Sequence, residues 1–393
     1  MIAVTEAERL ILENLHTPTV NSVPLASVTG YTLAKSVYAD RDLPPYPRVA
    51  MDGIAIFWEE NPQTSGYRIE HVQAAGAPPY TLIDRSGCVE VMTGAALPSG
   101  TNAIIPNEEL ELQSGIARVL RHPRKGQHIH EQGSDTRQGE LLLEPGTLIG
   151  SKEVAVLAAV GLSDVPVFSV PPVAIVATGN ELVPVDRHPQ PQQIRSSNNH
   201  ALSSALSEMK IASALYHLAD RREDVDTILP TILDRHPIVI LSGGVSKGKY
   251  DLIPSALADA GVRQVFHQIK QKPGKPFWFG RSCRNTVFAL PGNPVSTFLC
   301  FYRYIKPWLQ KSLRNRMHLY TAVLAKKIVF QPPLTYFVQV TLDIQNGVTT
   351  AEPIAGGGSG DFVSLRQADG FLELPPDRAE FQAGEAFPLI RIR

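Results

Sequence analysis

Three loops in the second half of the chain carry the residue types that handle anions. They are VAIVATGNEL (173–182), VILSGGVSKGKYDLI (239–253) and VFALPGNPVSTFL (287–299). Each lies between a near-continuous apolar run, as in a strand covered on both faces, and a helix-like run. Glycine directly after such a strand lets backbone N–H groups turn outward, and the following helix aims its positive end at the same crevice. Gly179, Ser242, Gly243, Gly244, Ser246, Pro291 and Gly292 are the candidate cradle, with Asn293 and Pro294 in cap and first-turn positions. Two carboxylates accompany them, Glu181 and Asp251. Asp251 reads as a helix cap or as a ligand for Mg²⁺ or another divalent cation, which binds through one or two carboxylates plus phosphate oxygens. Glu181 at the end of another strand tilts the choice towards metal. KQKPGKP (270–276) adds Lys270, Lys272 and Lys275 on a turn pre-organised by Pro273 and Gly274. A fixed cationic clamp of that kind suits a dianion.

The elements that must hold these loops alternate. From 171 to about 315, apolar strand runs such as VAIVAT, IVILSGG and TVFALPG exchange with helix-like runs such as NNHALSSALSEMK, REDVDTILPTIL and VSTFLCFYRYIKPWL. That order predicts a three-layer α/β domain. Beyond about 316 only strand runs and Gly, Asn and Asp turns follow, which predicts a small β-barrel. Residues 41–145 read as short β-runs broken by glycine, an inserted irregular β domain. Residues 1–40 with 146–170 are expected to form an N-terminal helical and linker domain around it. Thr5 and Glu8 have capping-box spacing, with Leu10, Ile11 and Leu15 on an apolar face, and SKEVAVLAAVGL predicts a second helix ending at Gly161. In the β region, Asp52-Gly53 and Thr93-Gly94 read locally as turns.

The whole chain has 393 residues, more than one hydrophobic core usually organises. Its formal charge of −1 gives no general drive towards nucleic acid or a membrane, so anion binding must be local. Three widely spaced cysteines fit a reducing compartment, and no apolar run is long enough to span a bilayer, so a cytoplasmic protein is expected. His128 and His130 lack a third ligand at recognisable spacing, and no GxSxG, HExxH or P-loop motif occurs.

Taken together, the stretches LPPYPRVAMDGIAI, VMTGAALPSGTNAIIP, GSDTRQGELLLEPG, VAIVATGNEL, IRSSNNHAL, VILSGGVSKGKYDLI, KPGKPFWFG, FALPGNPVS and GSGDFVSLRQADGFLELP resemble the molybdopterin molybdenumtransferase family, which includes the C-terminal domain of gephyrin. The likeness runs from about residue 40 to the C-terminus. It implies a multi-domain α/β plus β architecture with a molybdopterin-binding-type domain and a C-terminal β-barrel. It also implies a homodimer that takes adenylylated molybdopterin and molybdate, releases AMP and uses a divalent cation. Contacts with the adenylyltransferase and with apo-molybdoenzymes follow from the same resemblance. The family's functional positions fall on Asp52, Thr93, Asp135, Glu181, Asp220, Asp251, Lys272 and Lys275, with Pro291 and Pro294 shaping a loop and Glu181 and Asp251 carrying the metal. Four positions depart from the pattern: HIHEQGSD replaces an arginine cluster, Asn180 a frequent Asp, Lys249 a common acidic residue, and Ile54 a usual Tyr. Two rivals remain. One is a molybdopterin adenylyltransferase, against which the extra β domains argue, and the other a scaffold of the gephyrin type, for which the chain offers no extended linker.

Overall fold

The computed structural model describes residues 1–60, 66–245, 252–356 and 358–392. The chain divides into two compact units, one of Met1–Lys35, Pro145–Val154 and Asp164–Arg393, the other of Ser36–Glu144 and Ala155–Ser163.

In the larger unit the alternation read from sequence is realised. It runs β1 (Val173–Thr178), α1 (Asn198–Glu208), β2 (Ser213–Leu218), α2 (Arg222–Arg235), β3 (Ile238–Ser242), α3 (Ile253–Asp259), β4 (Arg263–His267), β5 (Trp278–Arg281), β6 (Thr286–Leu290) and α4 (Pro294–Cys300). The sheet order is β2-β1-β3-β6-β5-β4. The first four strands are parallel, while β5 pairs antiparallel with β6 and β4 antiparallel with β5. All residues of β1, β3 and β6 are buried, because helices cover both faces. Leu202 and Leu206 of α1 and Val295 and Leu299 of α4 pack against Ile175, Ile240 and Phe288 on one face. On the other, Val225 and Leu229 of α2 and Ile253 and Leu257 of α3 pack against Val176, Val239 and Leu241. Truncating a side chain such as Leu241, fully buried, costs about 2–5 kcal/mol at such sites.

The same unit contains β7 (Tyr320–Leu324), β8 (Thr335–Gln345), β9 (Val348–Pro353), β10 (Gly370–Leu374) and β11 (Ala386–Arg391). Pairings β8–β9, β9–β7, β7–β11, β11–β10 and β10–β8 close them into a five-stranded barrel around Leu324, Val340, Leu372 and Phe381. The barrel meets the α/β domain through the short strand Gln271–Lys272, which pairs parallel with β8.

The N-terminal helix spans Val4–Leu12, so Thr5 lies inside it and the capping box does not form: the N-cap is Ala3, without a side-chain bond. Glu8 instead meets Arg303 at 3.0 Å, and Arg303 also bonds Glu373 at 2.8 Å. The buried face is Val4, Ala7 and Ile11, and Leu15 lies beyond the helix, 40% exposed. The second expected helix is found at Ser151–Ala159, with Gly161 at φ +73°.

The smaller unit is built on a six-stranded sheet in the order Ala103–Pro106, Gly53–Ile56, Gly87–Val91, Gly66–Gln73, Ile116–Val119, Leu110–Gln113. Asp52-Gly53 is not a hairpin turn. Gly53 opens an inner strand between Val91 and Pro106, and a Cβ there would sit 1.9 Å from the Ile105 carbonyl oxygen. Glycine is needed for that close approach rather than for a turn. Among the described residues no helix is long and apolar enough to cross a membrane.

Candidate functional site

Parallel register brings the ends of β1, β3 and β6 side by side, with Ala177 opposite Ser242 and Ser242 opposite Leu290. The loops that leave them are pressed together. Gly243 N–H donates to the Leu290 carbonyl at 3.0 Å, and a Cβ on Gly243 (φ +99°) would lie 2.6 Å from Thr178 Oγ1. Gly244, at φ +69°, would drive a Cβ to 2.7 Å from Ile253. Gly292 faces the Gly243 Cα at 3.6 Å from its own ideal Cβ position. Gly179, Ser242, Gly243, Gly244, Pro291 and Gly292 therefore share one strand-end crevice. This is the place where open α/β sheets bind ligands.

Asn198, the first residue of α1, cross-links the loops. Its Nδ2 reaches Ser242 Oγ at 3.0 Å, the Gly292 carbonyl at 2.8 Å and Thr297 Oγ1 at 3.3 Å. Sequence reasoning named no role for Asn198. The cluster SSNN before a helix signals capping, yet no side-chain cap forms at Ser197. At the β1 and β2 ends, His217 Nε2 donates to the Gly179 carbonyl at 2.9 Å, and Asp220 N–H donates to Asn180 Oδ1 at 3.1 Å. Asn180 thus ties the Asp220 backbone to the crevice. Glu181 follows, exposed, on the same loop. Ser246 and Asp251, with Lys247 and Lys249, lie outside the described residues.

Beside the crevice is a cavity of about 320 Å³. The lysine turn forms one wall, with Lys272 and Lys275, and the Pro291–Asn293 loop another; Gln271, Ser296, Tyr336, Gln339 and Ser359 add polar lining. Asn293 Nδ2 donates to Ser359 Oγ at 2.8 Å, so the loop that serves the crevice is also fastened to the barrel segment. The Lys272 ammonium lies 5.6 Å from the centre of the Phe330 ring. Pro294 opens α4 behind Asn293, with no side-chain cap, and stands outside the lining.

The remaining positions lie in the smaller unit. Asp52 Oδ1 accepts from Thr93 N–H at 2.5 Å and from Thr93 Oγ1 at 2.7 Å, and these bonds hold its carboxyl below the usual carboxylate range. Asp135 Oδ1 lies 2.8 Å from His130 Nε2, and His130 Nδ1 lies 2.9 Å from Arg48 Nη2. A guanidinium only donates. His130 Nδ1 therefore accepts, and Nε2–H donates to Asp135. Strand Arg48–Val49 pairs with Ile129–His130, and Gly94 N–H donates to the Val49 carbonyl, so both groups belong to one corner of this unit. No sequence motif pointed to Arg48, because its partner is 82 residues away.

No three His, Cys, Asp or Glu side chains among the described residues are grouped to hold a metal. Glu181 supplies a solvent-facing carboxylate, the donor type a hard cation takes.

A multi-domain α/β protein with a glycine-lined strand-end crevice, an adjoining lysine-lined cavity and a closed barrel is the class these features define. Family models match along its length: the MoeA N-terminal region (domain I and II) at 2–161, the probable molybdopterin binding domain at 174–311, and the MoeA C-terminal region (domain IV) at 321–392. A molybdopterin molybdenumtransferase of Synechocystis sp. is 37% identical over 367 residues, covering 91% of this chain and 92% of that protein. One of Staphylococcus epidermidis is 28% identical, covering 99% and 95%. The crystal structure of the molybdopterin biosynthesis moeA protein from Pyrococcus horikoshii OT3 superposes with a TM-score of 0.85 at 28% identity, covering 99% of each chain. The chain belongs to the molybdopterin molybdenumtransferase family, transferases of molybdenum cofactor biosynthesis.

Proposed function

We propose that this chain inserts molybdate into adenylylated molybdopterin and releases AMP. The observation that carries the reading is the Pro291–Asn293 loop, which walls both the glycine crevice and the lysine cavity. Two anions of different shape would thereby be held on either side of one loop. Gly243 and Gly244, where a Cβ would collide with Thr178 and Ile253, keep the strand-end loops close, and with Gly179, Ser242 and Gly292 they would offer backbone to the phosphates of the pterin substrate. Lys272 and Lys275 supply point charges for the tetrahedral oxyanion. Glu181 and Asp251 would hold Mg²⁺ or another divalent cation, which supplies charge neutralisation at a phosphoanhydride. Asp52, Thr93 and Asp135 are the polar groups we assign to the reaction from the smaller unit, and Asp220 to substrate binding. The active species is a cytoplasmic homodimer in which a second copy completes the site.

Asp251 decides the metal assignment. Asn caps a helix as well as Asp does, so a capping role predicts a silent Asp251→Asn. A metal role predicts that AMP release falls by about a hundredfold or more with little change in melting temperature. We expect the second outcome, with Glu181→Gln behaving likewise, in AMP release followed against Mg²⁺ concentration. Rates and cation dependence like the wild type in both variants would remove the metal from these carboxylates.

A further inference from the structure

Beneath the lysine turn lies a buried amide. Gln271, 1% exposed, directs Nε2 at the Pro273 carbonyl (3.1 Å) and the Gly274 carbonyl (3.3 Å). Carbonyl oxygens only accept, so the NH₂ end must face the turn. The Oε1 end then faces Tyr304, whose hydroxyl donates to it. Tyr304 is buried, which pushes its phenol well above the ordinary range and keeps it a donor. Cys300 Sγ, also buried and with its thiol pushed up, adds a weak bond to the Gly274 carbonyl at 3.8 Å. Gly274 is pressed onto this pair. At φ +84°, a Cβ there would lie 2.7 Å from Gln271 Nε2 and 2.8 Å from Cys300 Sγ. The main chain of the turn is therefore bonded from below at two consecutive carbonyls, while Lys272 and Lys275 on either side of them line the cavity, the Lys272 ammonium resting near Phe330.

We propose that Gln271 is the positioning residue of the oxyanion clamp: its amide, oriented by Tyr304, holds the Lys272–Lys275 turn in the shape that brings both ammonium groups to one tetrahedral dianion. The proposal rests on the assignment of those lysines to the oxyanion. Gln271 touches no substrate in this scheme and acts through the turn. A clamp made of two flexible lysines gains selectivity only if its backbone is fixed. Gln271 also stands at the edge of the cavity, but its amide is committed on both ends to the turn and to Tyr304.

The test is calorimetric titration of molybdate alone into the full-length protein, for wild type, Gln271→Met, Tyr304→Phe and Lys275→Ala. Affinity for adenylylated molybdopterin and melting temperature are measured in parallel. Met keeps the volume and loses the donors. We expect Gln271→Met to bind molybdate about tenfold more weakly, and Tyr304→Phe about threefold, with pterin affinity unchanged in both. A merely structural role would lower both affinities together with the melting temperature. Wild-type molybdate affinity in Gln271→Met and Tyr304→Phe, with weakened Lys275→Ala, would overturn the positioning role and leave the clamp standing. Wild-type affinity in Lys275→Ala would remove the clamp itself. Tyr304→Phe carries the test if Gln271→Met does not fold.

Discussion

At the residue scale, the two carboxylates of the smaller unit are held in different ways. Asp52 is bonded twice by Thr93, and the bonds favour its charged form. Its folded pKa is lowered, so whatever it adds to stability is present above the ordinary carboxylate range and is lost as pH falls through the lowered value. Thr93→Val removes the hydroxyl and keeps the backbone N–H. The Asp52 carboxyl should then titrate at higher pH than in the wild type, read by carbon NMR of that carboxyl. An unmoved midpoint would mean that the backbone bond alone sets it. Asp135 is bonded instead by His130 Nε2, while His130 Nδ1 accepts from Arg48. Local sequence could reveal neither arrangement. Asp52-Gly53 has the composition of a turn, and only the approach of the Ile105 carbonyl, 52 positions beyond Gly53, shows why glycine stands there.

At the scale of elements, strand and helix order in the α/β domain was legible because both faces of a parallel sheet are buried and leave unbroken apolar runs. The antiparallel edge of β5 and β4 was not, since neither FWFG nor RQVFH carries a pattern that marks strand direction. The glycine loops were also legible, as punctuation between runs. What binds them to one another was hidden, because Asn198 acts on loops 44 and 94 residues away. Asn198→Ala should free Ser242 Oγ and the Gly292 carbonyl and loosen the crevice. We expect KM for adenylylated molybdopterin to rise about tenfold, with melting temperature lowered by about 2–4 °C. Steady-state kinetics and a thermal melt check this together. An unchanged KM would leave Asn198 a structural brace only.

At the scale of the whole molecule, the closed barrel removes free strand edges from β7 to β11. The three-stranded sheet of Thr19–Pro24, Asp164–Ser169 and Thr32–Leu33 leaves its first strand largely exposed instead. Val20 there is 50% exposed, and Leu148, bridged to Thr32, is 58% exposed. Such a surface suits a two-fold mate. Sedimentation velocity at micromolar concentration should give a two-chain species, and a fully active single chain would reject the homodimer. Composition and length signalled several domains, but no local pattern identifies a face that would meet another copy.

The trio of Glu8, Arg303 and Glu373 bears on how the molecule comes into being. Glu8 and Arg303 stand 295 residues apart, and Glu373 lies a further 70 along. During synthesis the first helix emerges from the ribosome long before its guanidinium partner exists, and the barrel strand that completes the trio arrives later still. A nine-residue helix is marginal alone in water. Its apolar face packs in the core that includes Trp308 and Leu309, so the helix gains its seat only after the central sheet and the helix behind it have been made, and the Glu373 bond closes later still.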